Sequence, residues 1–351
     1  MDIKHLLQLT IDRNASDLHL IVSIPPSIRV EGVLSFVPNE PVLNPDSMET
    51  LLKGVLTSEQ LDRLSFNKEI DFSHAFSEKA RFRVNAYTQK GTFAAAFRRI
   101  PLEIPSIDSL NLPPILHNFT QLRQGFILVT GPTGHGKSTT LASILEEINL
   151  TRETHVVTIE DPIEFVFRPK KSIISQREMQ SDTHSWQVAL RSVLREDPDV
   201  VLVGEMRDFE TIASALTVAE TGHLVFATLH TNSASQTIDR IVDVFPEEQQ
   251  AQVKLQLSSV LEAVFSMRLI PSVNGPRVPA YEVMLATTAI KTSIREGKTH
   301  QIDSIIQTST EAGMSTLDWS LANLVRDGKI NLETALGWSL RPEELNRLIR
   351  R

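Results

Sequence analysis

The sequence of 351 residues contains no cysteine. This absence excludes disulfide bonds, thiolate zinc sites and a cysteine nucleophile. The sequence also contains no run of about 18 apolar residues, the length that a membrane-spanning helix requires. Residues 1–5 lack the basic and long apolar regions of a signal peptide. We therefore expect the protein to stay in the cytoplasm.

Basic residues are outnumbered by acidic ones. The chain has 35 lysines and arginines against 43 aspartates and glutamates, which gives a formal net charge of −8 at pH 7. Because proteins that bind nucleic acids usually carry a basic patch, we expect no nucleic-acid partner. Hydrophobic residues make up 41% of the chain, which is typical of a globular protein with buried cores.

The first third of the chain differs in pattern from the rest. Residues 1–100 alternate helical patches with short strand-like runs and include a hairpin that turns near Glu31 and Gly32, which predicts a small α+β domain. Four prolines then punctuate residues 101–114. We therefore assign residues 101–124 to a linker.

The remaining residues, 125–351, begin with nearly continuous apolar strands that alternate with helical segments. This alternation predicts βαβ units and a buried parallel sheet, and hence an α/β fold. After about residue 250 the pattern is mostly helical, with one hairpin near 268–285.

A phosphate-binding loop follows the first of these apolar strands. Residues 131–138 read Gly-Pro-Thr-Gly-His-Gly-Lys-Ser. In this pattern the glycines let the backbone amides face an anion, Lys137 reaches the β- and γ-phosphates, and the Ser138 hydroxyl ligates Mg²⁺. The nucleotide contacts are assigned to Gly131, Thr133, Gly134, His135, Gly136, Lys137, Ser138 and Thr139.

Polar side chains end three other predicted strands, at the sheet edge where parallel sheets bind ligands. Glu160, Asp161 and Glu164 follow one strand, Glu205 follows the next and His230 the last. Phosphoryl transfer needs a positioned water, a metal ion and charge neutralisation. We expect Glu164 to activate the water, Glu205 to support Mg²⁺ and His230 to sense the γ-phosphate. Glu160 and Asp161 are equally consistent with a site role and with capping of a following helix.

These motifs occur in the order found in a known family. The chain resembles the secretion-type ATPases and, within them, the type IV pilus retraction ATPases. The similar segments are Ser16–Leu20, Ala80–Asn85, Thr158–Phe165, Leu194–Asp208 and Ala219–Thr231.

The resemblance implies a fold and an activity. It implies a RecA-like P-loop ATPase domain over 125–351, with a helical C-terminal region from about 250, and a PAS-like N-terminal domain over 1–100. It also implies ATP hydrolysis with Mg²⁺, which Ser138 and Glu205 would hold, partly through water. Arg81 and Arg98 would act as arginine fingers, with Arg83 as a further candidate.

The same resemblance implies partners and a location. The protein would be a homohexameric motor that powers pilus retraction and so twitching motility. It would work at the pilus base, on the cytoplasmic face of the inner membrane, with an inner-membrane platform protein and a second retraction ATPase as partners.

Four alternatives are less favoured. Assembly ATPases of the same superfamily usually carry a long extra N-terminal region and a four-cysteine zinc element, and neither is seen here. An accessory retraction ATPase, a nucleic-acid translocase and a non-hydrolysing nucleotide-binding scaffold are the others.

The chain departs from the retraction pattern at two places. In residues 289–296, Lys291, Thr292 and Ser293 stand where Arg, Asn and Leu are usual, which removes a hydrophobic contact at position 293. His135 replaces a more usual Ser, and we expect no loss there because the backbone binds the phosphates.

Overall fold

A computed structural model describes residues 2–30, 32–77, 80–100 and 103–350. The chain forms two compact units: Met1–Glu103 with Pro162–Val166, and Ile104–Asp161 with Phe167–Arg351. Glu31, at the predicted hairpin turn, and Pro101, at the start of the predicted linker, lie outside the described residues.

Within its described residues, the first unit contains three helices and six strands. Its helices are α1 (Ile3–Asp12), α2 (Pro45–Lys53) and α3 (Ser58–Asn67), and its strands are β1 (Asp17–Ile21), β2 (Ser27–Val30), β3 (Val33–Phe36), β4 (Glu69–Ser77), β5 (Ala80–Gln89) and β6 (Thr92–Ile100). The strands form one antiparallel sheet in the order β3-β2-β1-β6-β5-β4.

One face of this sheet carries the core of the first unit. Along β5, buried residues alternate with partly exposed ones, as expected for a sheet with one covered face. Phe82 and Phe97 are fully buried in the same cluster as Leu6 of α1 and Met48 of α2.

The predicted helical patch over 47–64 is two helices, because Asn44 and Thr57 each cap a helix start.

The second unit contains the remaining elements. Its helices are α4 (Ile115–Gln121), α5 (Lys137–Thr151), α6 (Trp186–Val193), α7 (Phe209–Glu220), α8 (Ala234–Asp243), α9 (Glu247–Val260), α10 (Thr288–Arg295), α11 (Ile302–Thr308), α12 (Leu317–Arg326), α13 (Leu332–Trp338) and α14 (Pro342–Arg350). Its strands are β7 (Gly125–Thr130), β8 (His155–Glu160), β9 (Ile173–Glu178), β10 (Val200–Val203), β11 (Leu224–Leu229), β12 (Leu261–Ile270) and β13 (Val278–Leu285).

These seven strands form one sheet in the order β13-β12-β7-β11-β10-β8-β9. All neighbours are parallel except β12 and β13. Every residue of β7, β10 and β11 is buried, as expected for strands covered on both faces. The predicted α/β fold with a parallel sheet is therefore confirmed. Because β7, β10 and β11 are parallel neighbours, the residues that follow them meet at one edge.

Three features of the second unit differ from the sequence-based predictions. Residues 115–121 of the predicted linker form α4, because Leu116 and Phe119 are buried. The edge strand β9 was not predicted, since four of the six residues in its sequence Ile-Ile-Ser-Gln-Arg-Glu are polar. The predicted hairpin near 268–285 corresponds to the antiparallel pair β12 and β13, but β12 begins before residue 268, in a stretch expected to be mostly helical. Helix α9 ends at Val260 and β12 begins at Leu261, so no turn residue marks the change.

The C-terminal helices α12, α13 and α14 share a small apolar cluster. Leu321, Ala335 and Leu345 are fully buried there, together with Ile270 and Ala280 from β12 and β13. Among the described residues, no helix has both the length and the apolar character to cross a bilayer.

Candidate nucleotide site

The phosphate loop lies between β7 and α5. Gly131, Gly134 and Gly136 have positive φ values of 141°, 76° and 94°, which favour glycine. Gly131 is also under steric constraint, because a Cβ atom there would lie 2.2 Å from the carbonyl oxygen of Met267 on β12. The loop is thus curled tightly over β12, and α5 begins with Lys137 directly behind it. The N-terminus of a helix in this position favours bound phosphate.

The Lys137 ammonium is held inside the loop that it would serve. Its Nζ donates to the carbonyl oxygens of Gly131 at 2.9 Å and Pro132 at 3.0 Å. It also lies 3.3 Å from Nδ1 of His230, and the hydroxyl of Thr133 lies 3.3 Å from the same nitrogen. The structure therefore brings Lys137, Thr133 and His230 together, although they come from the loop after β7 and the end of β11.

The opposite side of the His230 ring faces Glu205. Nε2 of His230 lies 2.9 Å from Oε1 of Glu205. With a proton on Nε2 the His230 ring donates to Glu205, and its Nδ1 then offers one lone pair to Lys137 or Thr133. The result is a continuous polar chain from Lys137 through His230 to Glu205.

The carboxylate of Glu205 is held charged. Burial raises its pKa, but the hydrogen bond from Arg207, the electrostatic influence of His230 and the charge of Arg207 together outweigh that effect, so the pKa lies below its ordinary value. Nη2 of Arg207 donates to Oε2 of Glu205 at 2.7 Å. The hydrogen bond with Glu205 in turn raises the pKa of Arg207, and Asp161 adds to this rise.

Two hydrogen bonds fix the end of β10 against β11. The Thr228 hydroxyl donates to the carbonyl of Gly204 at 2.6 Å, and the amide of Met206 donates to the carbonyl of Thr228 at 3.1 Å. Glu205 lies between these two anchored residues. Strand register therefore sets the separation between Glu205 and His230.

The acids that follow β8 are in different surroundings. Glu160 is buried and accepts from the hydroxyl of Thr158 and the amide of Gln176. Asp161 is exposed, in the field of Arg207. Glu164 groups with the first unit, where its Oε1 lies 3.4 Å from Nη1 of Arg83. Its role as the base that activates water stays a prediction.

The candidate arginine fingers share one face of the first sheet. Arg83 and Arg98 are cross-strand partners, and Arg81 lies two residues before Arg83 on the same strand. Nε of Arg98 donates to Oδ1 of Asp17 at 3.0 Å, while the Arg98 side chain stays 73% exposed. Burial raises the pKa of Asp17, but hydrogen bonds from Ser16 and Arg98 lower it further than burial raises it. Arg81 donates to the hydroxyl of Ser73.

The two histidines that bracket β11 have separate surroundings. His230 joins the polar chain described above. The ring of His223 contacts the hydroxyl of Thr221 at 2.9 Å and the carbonyl of Val218 at 3.1 Å, both near the end of α7. The sequence-based prediction singled out His230. His223 instead contacts polar groups at the C-terminal end of α7.

Three groups at the candidate site were not singled out in the sequence. Arg207 pairs with Glu205, and Nη1 of Arg277 donates to the carbonyl of Gly134 at 3.3 Å. The ring of Trp338 lies 5.6 Å from the ring of His135. Arg207 lies within a matched motif, whereas Arg277 and Trp338 are far along the chain and carry no local signal.

His135 makes more than backbone contacts. Its Nδ1 accepts from the amide of Leu269 at 2.9 Å. Burial lowers its pKa, and the charges of Arg277, Lys137 and Arg268 lower it further. The side chain is directed to β12 and α13.

The element around residue 291 retains contacts despite its substitutions. Nζ of Lys291 lies 3.3 Å from Oε1 of Glu262, and the hydroxyl of Thr292 accepts from Arg295. Ser293 is buried in α10, as a contact position would be. A charged pair is therefore present at 291.

No group of three or more histidine, aspartate or glutamate side chains within the described ranges is arranged to hold a metal ion. A Mg²⁺ ion at a phosphate loop needs few protein ligands, since it usually keeps several waters and binds substrate phosphates. The Ser138 hydroxyl at the first turn of α5 and the charged carboxylate of Glu205 are oxygen donors of the suitable kind.

Comparison with known proteins identifies the family. The model of the family described as type II/IV secretion system protein matches residues 106–299. The chain is 48% identical over 335 residues to the type IV pilus retraction ATPase PilT of Pseudomonas aeruginosa, covering 95% of this chain and 97% of that protein. A crystal structure of the pilus retraction motor PilT with bound ADP superposes with a TM-score of 0.92 at 46% identity, covering 99% of both chains.

The rival classes are more distant. The type IV pilus ATPase PilU of P. aeruginosa is 37% identical over the full length of this chain and 92% of its own. The assembly ATPase PilB of Myxococcus xanthus matches only 43% of this chain. The chain therefore belongs to the type II/IV secretion system protein family, as one of its pilus retraction ATPases.

Proposed function

We propose that this chain binds ATP at the loop 131–138 and hydrolyses it to drive pilus retraction as a homohexamer. The observation that carries the proposal is the polar chain from Lys137 through His230 to Glu205, assembled from three parallel strand ends. A Gly-rich turn with a structural role alone would not need a buried lysine beside two titratable side chains.

The contacts of Lys137 support a role in nucleotide binding. In this structure its ammonium donates to two loop carbonyls, Gly131 and Pro132. A phosphate bound in the loop supplies stronger, charged acceptors for the same donor. Movement of Nζ toward the phosphate would release His230, which lies 3.3 Å away. Phosphate binding would thus change the hydrogen bonding of the His230 ring and, through that ring, the surroundings of Glu205.

Mg²⁺ would be held by Ser138 and, through water, by Glu205. Both oxygens of Glu205 already accept hydrogen bonds, from Arg207 and His230, and a carboxylate retains lone pairs for water. When bound, the ion would neutralise phosphate charge. Chelation of divalent ions should abolish hydrolysis, and added Mg²⁺ should restore it. Full turnover in excess chelator would exclude the metal.

Glu164 is proposed as the base that orients or deprotonates water, and Arg81 and Arg98 as arginine fingers. Arg83, whose Nη1 lies 3.4 Å from Oε1 of Glu164, would orient the Glu164 carboxylate. The exposed guanidinium of Arg98 is anchored at Nε by Asp17, which leaves its outer nitrogens as donors for phosphoryl oxygens.

The proposed setting follows the relatives. The motor would act at the pilus base, on the cytoplasmic face of the inner membrane, with an inner-membrane platform protein. A second retraction ATPase would be a further partner. Because retraction ATPases match over nearly the whole chain, this setting is favoured over pilus assembly.

The test is phosphate release by the purified protein together with nucleotide binding. Lys137→Ala should lose both, because the ammonium is the main phosphate donor of the loop. Glu164→Gln should bind ATP but release phosphate at least about 100-fold more slowly, the lower end of the contribution that a general base typically makes. Lys298→Ala, which removes an exposed lysine paired with Glu296, is the matched control. Normal turnover by Lys137→Ala would refute the site.

A further inference from the structure

The side chain of His135 is tied to β12 and α13. Its Nδ1 accepts the Leu269 amide at 2.9 Å, and its ring lies against the ring of Trp338 with centroids 5.6 Å apart. Trp338 is the last residue of α13, 203 positions after His135 in the chain. The loop tip therefore has a fixed contact with the C-terminal helices.

The floor of the loop is formed by the same strand. A Cβ on Gly131 would meet the carbonyl of Met267, and a Cβ on Gly136 would lie 3.1 Å from the Met267 side chain. Leu269, whose amide donates to His135, lies two residues after Met267 on β12. A displacement of His135 would thus change how the whole loop rests on β12.

The backbone of Trp338 is held by Arg268, which also contacts the segment after His230. Nη1 of Arg268 donates to the Trp338 carbonyl at 3.0 Å, and Nη2 of the same guanidinium donates to the Asn232 carbonyl at 3.5 Å. Asn232 lies two residues after His230. The hydroxyl of Ser339, next to Trp338, donates to Asp318 of α12. The end of α13 thus contacts the phosphate loop through His135 and is linked through Arg268 to the segment that follows His230.

We propose that His135 and Trp338 form a positioning pair through which α13 holds the phosphate loop in its nucleotide-binding shape and registers whether nucleotide is bound. The inference rests on the proposed nucleotide site at 131–138. In this role His135 acts through its ring and Nδ1, while the loop backbone contacts phosphate. In the same role Trp338 acts through its contact with His135.

The first measurement separates affinity from turnover. Trp338→Leu keeps an apolar side chain but removes the ring contact. It should raise the KM for ATP and the Kd for ADP about threefold to tenfold, the free energy of one aromatic contact. The kcat should stay within about twofold, because the ring supports ground-state binding. Trp338→Phe should restore most of the affinity.

The matched control is the other tryptophan of the C-terminal helices. Trp319 on α12 lines a cavity of about 250 Å³ with Tyr281 and Asn323. Trp319→Leu removes an indole from the same region but leaves His135 untouched. It should lower the melting temperature without changing KM or Kd. Equal changes in affinity for both variants would reduce Trp338 to a general stabiliser and overturn the proposal.

A double-mutant cycle tests whether the two residues act as a pair. His135→Ser alone should weaken ADP binding at least as much as Trp338→Leu. The combined variant should bind ADP no more weakly than His135→Ser, because the contact is already lost. Additive losses would show that the two side chains act separately.

Trp338 also provides a spectroscopic signal. In a Trp186→Phe/Trp319→Phe background, Trp338 is the only tryptophan of the three in the sequence. Saturating ADP should shift or quench its emission, and His135→Ser should remove most of that change. If dialysis shows bound ADP but the emission is constant, the pair does not register nucleotide. If no ADP binds at all, the nucleotide site itself is wrong.

Discussion

At the scale of residues, the site depends on a few side chains with more than one partner. His230 lies between Lys137 and Glu205, and Glu205 lies between His230 and Arg207. A substitution at His230 therefore interrupts the polar chain between Lys137 and Glu205.

His230→Ala should reduce kcat by about 100-fold, the effect of losing one preorganised polar group in an active site. Nucleotide affinity should change little, because the loop and Lys137 remain. Steady-state phosphate release and ADP binding measure the two effects. His223→Gln is the control, since His223 contacts only Thr221 and Val218 by hydrogen bonds within the described structure. Comparable losses in both variants would contradict the sensor role.

Gly131 is constrained by both its backbone and its surroundings. Gly131→Ala should destabilise the loop by about 1–3 kcal/mol and abolish nucleotide binding, because its Cβ would collide with the Met267 carbonyl. Gly91→Ala tests backbone strain alone, since it has φ of 77° and open space around it. Chemical denaturation and ADP binding report the outcome. Normal ADP binding by Gly131→Ala would show that the loop adapts.

At the scale of elements, one buried carboxyl connects β13 with α8. Glu282 accepts the Ala234 amide at 2.7 Å, at the first turn of α8. Burial raises its pKa to about 7, although the Ala234 bond opposes the rise. The neutral form is thus favoured in the folded protein.

This shift predicts a pH dependence of folding stability. At pH values between the ordinary pKa of 4.5 and the folded pKa of about 7, Glu282 is protonated in the folded protein but mostly ionised in the unfolded chain. The free energy of unfolding should therefore fall as pH rises through 7, by on the order of 1–3 kcal/mol in total. Glu282→Gln should remove this component in denaturation curves at pH 5.5 and pH 8. Glu262→Gln, which changes a more exposed acid paired with Lys291, should not. An unchanged pH profile in Glu282→Gln would contradict the assignment.

Some elements could be predicted from sequence and others could not. Strands β7, β10 and β11 carry continuous apolar runs that are bounded by turns, so their pattern is unambiguous. The edge strand β9 lacks such a run, and β12 follows α9 without a turn. Their places in the sheet depend on pairing with strands that lie far away in the sequence.

The candidate site likewise contains some residues that the sequence predicts and others that it does not. Lys137, Glu205 and His230 each follow a predicted strand, so strand order alone brings them to one edge. Trp338 and Arg277 reach the loop from distant segments. No sequence motif marks them, because their positions follow from how β12, β13 and α13 pack.

At the scale of the whole molecule, the chain matches retraction ATPases over nearly all of its length. It departs from the retraction pattern at two places, around residue 291 and at His135. Lys291 pairs with Glu262, and His135 joins the phosphate loop to α13 through Trp338. Both lie outside the polar chain of the site, so we expect the hydrolytic chemistry to be retained.

The central claim is that hydrolysis at this site drives pilus retraction. The most direct measurement is a count of surface pili, with twitching scored in parallel, in cells lacking the gene and complemented with the natural sequence or with Glu205→Gln. The natural sequence should restore normal piliation and twitching. Glu205→Gln should leave excess pili that do not retract, as in the uncomplemented cells. Bald cells in the absence of the gene would contradict the account and assign the motor to assembly.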